Sequence, residues 1–220
     1  TVNARSINSI VTNADTVNGG GTTAVNIDSA TGVTGTKAHF DTLLTHEGNN
    51  LVTNLNDQAL FVTGGTITVA EADVISATST GVTTASITTT ERVSDLKTLN
   101  LTGASADTAN AYTIEIAAAD AVIADVADLN TIDTATSVAV DASNVTSMTG
   151  TASALNTLYT AASNGTVTGI NATETTVLSN AGAPINAGEV HTLKNTMDTV
   201  ADAASVTVAA IDASAVTSFT

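Results

Sequence analysis

A short pattern of apolar and polar positions recurs along the chain and predicts its elements. Each copy starts with a small or polar residue, followed by a large apolar residue, a polar residue, Thr or Ser, and a second apolar residue. Clear copies lie at 6–10, 39–43, 95–99, 128–132, 154–158 and 189–193, and a degenerate copy lies at 73–77. The first apolar residue recurs every 22 to 35 residues. Such spacing is typical of proteins in which each repeat forms one layer.

Each copy predicts a short amphipathic helix of about two to three turns, because its two apolar residues are three positions apart. Between the copies, β-branched residues alternate with small polar ones, which favours extended backbone. The predicted strands cover 24–28, 66–69, 85–88, 112–116, 138–141, 166–170 and 205–212. The chain therefore alternates predicted strands with predicted helices.

This alternation predicts an α/β fold, namely a repeat solenoid with parallel short strands and short helices in each coil. We expect residues 1–220 to form a single solenoid array of about seven irregular coils of 22–35 residues. Stacked strand-helix-strand crossovers bury a continuous ladder of Val, Ile and Leu. A parallel β-helix, with extended arms in place of the helices, is the alternative. The segment 119–132 favours the mixed form, because it has helix formers with apolar residues at 122, 126 and 129.

A longer similarity links distant parts of the chain. Residues 138–159 resemble residues 24–44, and the first part of this segment recurs at 209–220. Residues 1–10 resemble the continuation of the same segment. We therefore expect an array that is cut at a coil boundary, continues or stacks at both ends, and associates end to end with copies of itself.

Composition and charge restrict the kinds of core, partner and site that this chain can have. The apolar fraction is 43% but the aromatic fraction is only 2%, so the core consists of small aliphatic side chains that suit thin layers. With 21 acidic and 5 scattered basic residues, the net charge of −16 argues against nucleic acid or anionic lipid as a partner. The chain has no cysteine, which excludes disulfides and thiolate sites. No apolar run approaches the length of a membrane span, so we expect no membrane insertion.

The densest acidic run is the candidate metal site. Asp120, Asp125, Asp128 and Asp133 are candidate calcium ligands, because calcium prefers carboxylate oxygens. Neither an EF-hand pattern nor the glycine-rich calcium nonapeptide is present, so a solvated helix face is the alternative interpretation. No other cofactor is predicted.

No motif indicates catalysis. His39, His46 and His191 lack the carboxylate and serine spacings of hydrolases, and we interpret them as surface or packing residues. The glycines at 19–21 are followed by no lysine and predict a flexible joint rather than a phosphate site. No catalytic residue is therefore predicted.

The segment VDASNVTSMTGTASALNTLY at 140–159, with its partial copies, resembles the giant Thr/Ala/Val-rich cell-surface repeat proteins of marine cyanobacteria, including those tied to swimming motility. The resemblance implies export and a location at the cell surface or in a filament. It supplies no catalytic residues to carry over.

Three functions compete at this point. The leading hypothesis is a secreted, non-enzymatic structural repeat protein, a subunit or segment of a filament, sheath or surface layer that stacks end to end. The second is a calcium-dependent surface adhesin or glycan-binding module, with surface glycans as partners. The third is a polysaccharide-acting enzyme on a β-helix, and the few scattered cations and aromatic residues disfavour it.

Overall fold

The computed structural model describes residues 1–17, 24–100, 109–179, 184–204 and 211–214, except for the side chains of 14–17 and 204. In this part of the chain it is a mixed α/β protein with seven α-helices and parallel strands. The chain divides into two compact units. The first comprises Thr1–Thr88 and Leu99–Thr113, and the second comprises Thr89–Thr98 and Ile114–Thr220.

In its described residues, the first unit contains three helices and two parallel sheets. The helices are α1 (Ala4–Val17), α2 (Lys37–Gly48) and α3 (Val69–Ser76). The larger sheet has the order β1 (Val2–Asn3), β3 (Val33–Gly35), β5 (Leu60–Val62), β6 (Thr83–Ser86) and β7 (Ala111–Thr113). The smaller sheet pairs β2 (Val25–Asn26) with β4 (Val52–Thr53).

The described part of the second unit contains four helices and two parallel sheets. Its helices are α4 (Val93–Leu96), α5 (Val126–Ala135), α6 (Ala152–Asn164) and α7 (Ala187–Ala204). The larger sheet has the order β13 (Ile211–Asp212), β12 (Thr175–Leu178), β10 (Ser147–Gly150) and β8 (Val122–Ile123). The smaller sheet pairs β9 (Val140–Asp141) with β11 (Val167–Thr168), and these two strands are parallel.

We use the word coil for a unit of three parts. These are one strand of a larger sheet, the helix after it, and any short strand that follows that helix. Within each larger sheet, every strand pairs with the strand that follows it in that sheet along the chain. Val33 pairs with Leu60, 27 positions further on, and Ser147 pairs with Thr175, 28 positions further on. Such a register requires a crossover between neighbours, and the helix provides it.

The helix predictions are confirmed at six of the seven copies, and the pure β-helix alternative is wrong for these segments. At 95–99 the predicted helix is reduced to the single turn of α4, which ends at Leu96 and leaves Leu99 outside it. Two apolar registers differ from the prediction. In α1 the buried residues are Ala4, Ile7 and Val11, whereas Ile10 is 53% exposed. The degenerate copy is also displaced, because Val74 is exposed while its neighbour Ile75 is buried.

The predicted helix at 119–132 begins later than expected. Val122 lies in β8 with 68% of its surface exposed, and α5 starts only at Val126. The reason is Asp125, which has extended backbone angles and accepts a 3.0 Å hydrogen bond from the Ala127 N–H as the N-cap. The buried stripe of α5 is then Val126, Leu129 and Ile132.

Five of the predicted strands, at 24–28, 85–88, 112–116, 138–141 and 166–170, each contain part of an observed strand. The prediction at 66–69 is wrong, since Ile67 makes only an isolated bridge and Thr68 caps α3 by accepting from the Glu71 N–H. The prediction at 205–212 lies mostly outside the described residues, and so do the glycines at 19–21.

The similarity between 24–44 and 138–159 reflects a shared strand-to-helix junction. Thr36 and Thr151 are the N-caps of α2 and α6. The glycine before each cap ends a strand where the first helical residue of the preceding coil approaches closely. A Cβ atom would lie 2.9 Å from the Ala4 Cβ at Gly35, and 2.4 Å from the Val126 Cγ1 at Gly150. Glycine at these positions permits neighbouring coils to pack.

The similarity of 209–220 to the same segment does not extend to sheet position. Asp141 lies in the smaller sheet, whereas Asp212 lies in β13, which pairs with β12 in the larger sheet. What the two aspartates share is a turn, because each accepts a hydrogen bond from the N–H two residues on, that of Ser143 or Ser214. Residues 215–220 lie outside the described residues.

Candidate functional site

The structure brings together three of the four candidate calcium ligands. Asp120, Asp125 and Asp128 line one groove of the second unit, together with Arg92. Asp133 lies further along α5 and accepts a 3.2 Å hydrogen bond from the Thr166 hydroxyl. Burial raises the pKa of the Asp133 carboxyl, although the Thr166 hydrogen bond opposes this.

Each carboxylate of this groove already has a partner within the chain. Arg92 Nη2 lies 2.7 Å from Asp120 Oδ1, and Asp120 Oδ2 accepts from the Val93 N–H at 2.8 Å. Lys97 Nζ donates to both oxygens of Asp128. Within the described ranges, no group of three or more His, Asp or Glu side chains is placed to hold a metal ion. A calcium site here therefore stays a prediction.

The histidines take part in helix structure. His39 is the third residue of α2, and its Nδ1 accepts a 3.4 Å hydrogen bond from the Thr36 N–H, which completes a capping box. His46 lies in the last turn of the same helix. His191 Nε2 lies 3.2 Å from the Asn195 amide on α7.

A repeated polar contact joins successive helices. In three of the six successive pairs of copies, the third position of the sequence pattern contacts the first position of the next copy. The Asn8 amide donates to the His39 carbonyl at 3.0 Å, and the Asn130 amide donates to the Ala154 carbonyl at 2.9 Å. The Lys97 contact with Asp128 joins the same two positions by an ion pair. We call these three contacts the inter-coil bridges.

Two tyrosines are buried in the interior. The Tyr159 hydroxyl lies 2.7 Å from the Thr176 Oγ1, and the Tyr112 hydroxyl accepts from the Asn110 amide at 3.1 Å. Burial raises the pKa of both hydroxyls to about 12. Such hydroxyls remain protonated at neutral pH and act as structural hydrogen-bonding groups.

An apolar groove lies along the first coil, where β1, α1 and β2 meet. Its volume is about 410 Å³. Its lining residues are Val2, Asn3, Ser6, Ile7, Ile10, Val25, Asn26, Ile27, Ser29 and Ala30, and none of them carries a charge. We call it the first-coil groove. β1 is outermost among the described strands of its sheet.

Sequence reasoning missed this groove because it took Ile10 as a core residue. The spacing of Ala4, Ile7 and Val11 is the signal that places Ile10 beside the buried stripe rather than in it. The strand at 24–28 was predicted, but not its position next to α1.

No protein-family model, curated protein or solved structure matches the chain. Among the described helices, none combines the length and the apolar character needed to cross a membrane.

Proposed function

We propose that the chain is a non-enzymatic structural repeat protein whose coils form a solenoid array and whose copies stack end to end. In this role it is a subunit or segment of an extracellular filament, sheath or surface layer. The proposed location rests on the resemblance of residues 140–159 to cell-surface repeat proteins, and the acidic composition is compatible with it.

One observation carries the proposal: the inter-coil bridges occur at the same pattern positions in both compact units. Asn8 and His39 form one in the first unit, and Asn130 and Ala154 form one in the second. A contact that recurs with the sequence repeat is the property by which repeat proteins add layers. The parallel strand pairing between successive coils supports the same interpretation.

Negative-stain electron microscopy of the purified chain tests this function. We expect particles that lengthen with protein concentration while their width stays constant. Particles that stay at the size of one chain at all salt and calcium concentrations would contradict the proposal.

The groove beside Arg92 favours a second candidate, a calcium-dependent adhesin. Three carboxylates line it, and calcium would have to displace Arg92 and Lys97 from Asp120 and Asp128. Calorimetric titration with calcium chloride tests this candidate, with the Asp120→Asn variant as the comparison. Heat of binding that is lost in the variant supports it, and no heat from the wild-type chain removes it.

A further inference from the structure

The first-coil groove lies on the outer side of the first coil, beside β1. Among the described strands, β1 is at the edge of its sheet. β1 pairs on one side with β3, through Val2 and Val33, and its other edge has no described neighbour. Alongside it, Ile10 exposes 53% of its surface and Val2 and Val25 are half-buried. An exposed strand edge can pair with a strand of another chain, and an exposed apolar side chain beside it can pack against that chain.

The coils within the first unit show what fits such a face. The next coil, with β3 and α2, is covered on this side by β1 and α1. That contact consists of parallel strand pairing, helix packing and the Asn8 bridge to the His39 carbonyl. The first-coil groove offers the same kinds of surface, a strand edge and an apolar helix side, so it continues an interface that the fold already uses.

Charge also restricts the occupant. The chain has a net charge of −16, but the lining residues of the groove are all uncharged. A groove of this kind has no group that recognises an ionic ligand, and it permits contact between acidic copies without buried like charges. Repulsion between two such copies falls as salt screens their charges.

We propose that the first-coil groove binds a second copy of this chain. The proposal rests on the end-to-end assembly proposed above and names the surface that mediates it. The partner edge is β13, which is outermost in the larger sheet of the second unit. Every described strand pair is parallel, and β1 of one copy and β13 of another extend that parallel pairing between copies. Such a contact is heterologous, so assembly produces open chains or rings rather than closed dimers.

Light scattering of the wild-type chain and two variants tests the groove. Ile10→Glu places a charge inside it, whereas Val74→Glu places the same charge at the exposed position on α3. Both positions are exposed and helical, so we expect both variants to fold, which circular dichroism checks. We expect Ile10→Glu to weaken association about tenfold or more, because a charge is then buried without a partner. Val74→Glu should associate like the wild-type chain, and higher salt should strengthen association of the wild-type chain.

Mixing the wild-type chain with labelled Ile10→Glu distinguishes the heterologous contact from a closed dimer. In the heterologous contact, the variant still offers β13, so it joins the ends of wild-type assemblies and shortens them. Exclusion of the variant, with wild-type particles limited to dimers, overturns the heterologous contact. If the wild-type chain assembles and Ile10→Glu assembles equally well, the groove proposal is wrong while the proposed function stands. If the wild-type chain stays monomeric, both are wrong.

Discussion

The side-chain amide of Asn130 donates a 2.9 Å hydrogen bond to the main-chain carbonyl of Ala154, and this contact joins α5 to α6 across two successive coils. Asn8 makes the same contact with the His39 carbonyl in the first unit. In both residues the amide oxygen is buried without a partner, so the two side chains share an orientation as well as a bond. At this position of the sequence pattern, one asparagine in each unit therefore joins two successive helices.

Asn130→Asp should lower the free energy of unfolding. The carboxylate has no N–H to donate to the Ala154 carbonyl oxygen. Two hydrogen-bond acceptors, the new carboxylate and this carbonyl, then face each other in a partly buried position. We expect a loss of about 1–3 kcal/mol, measured by urea unfolding at neutral pH. Asn156→Asp is the matched control on the next helix, because the Asn156 oxygen accepts from the Thr196 hydroxyl at 2.6 Å. A carboxylate at position 156 can still accept from the Thr196 hydroxyl. Equal losses of unfolding free energy in the two variants would contradict a stabilising role of the contact between Asn130 and Ala154.

Gly35→Ala should destabilise the first unit. Its new Cβ would lie 2.9 Å from the Ala4 Cβ and 3.2 Å from the His39 Cβ, so the coils must move apart. We expect a cost of about 1–3 kcal/mol by thermal or urea unfolding. Gly48→Ala, at the last residue of α2, meets nothing within 4 Å and should raise stability by about 0.4–1 kcal/mol. Similar stability changes in both variants would show that the approach of Ala4 to Gly35 is not tight.

The helices could be predicted from sequence because their signals are local. Apolar residues three apart and a threonine cap, as at Thr36, lie within a few positions of one another. The strands Val33–Gly35 and Ser147–Gly150 could not be, since they are short, contain glycine and depend on partners about one coil away. The partners of Asp120 and Asp128 were missed for the same reason, because Arg92 and Lys97 lie about 30 positions earlier in the chain.

Alkaline pH should unfold the protein through its two tyrosines. The pKa of Tyr112 and Tyr159 is raised to about 12, above the value near 10 of an unfolded tyrosine. Since the folded state holds these protons more tightly, their contribution is complete below pH about 10 and is lost as the pH rises to about 12. We expect each to account for about 2–3 kcal/mol. The chain has two tyrosines and no tryptophan, so near-ultraviolet absorbance reports them directly. Ionisation near pH 10 with the fold intact would contradict their burial.

Asp133→Asn should stabilise the second unit at neutral pH. Burial raises the pKa of Asp133, so its contribution favours folding below the unfolded pKa and is lost as the pH rises through the folded pKa. At neutral pH the carboxylate therefore opposes folding, whereas an amide oxygen still accepts from the Thr166 hydroxyl. Urea unfolding at neutral pH and below pH about 3 should show a gain that disappears in acid. A neutral-pH loss would indicate that the charge has a favourable partner.

The mass of the wild-type chain as a function of concentration, measured by sedimentation equilibrium, tests end-to-end stacking most directly. Stacking predicts a weight-average mass that rises continuously beyond two chains and rises more steeply at higher salt. A mass that stays at 21.8 kDa over the whole concentration range, at low and high salt, would contradict it.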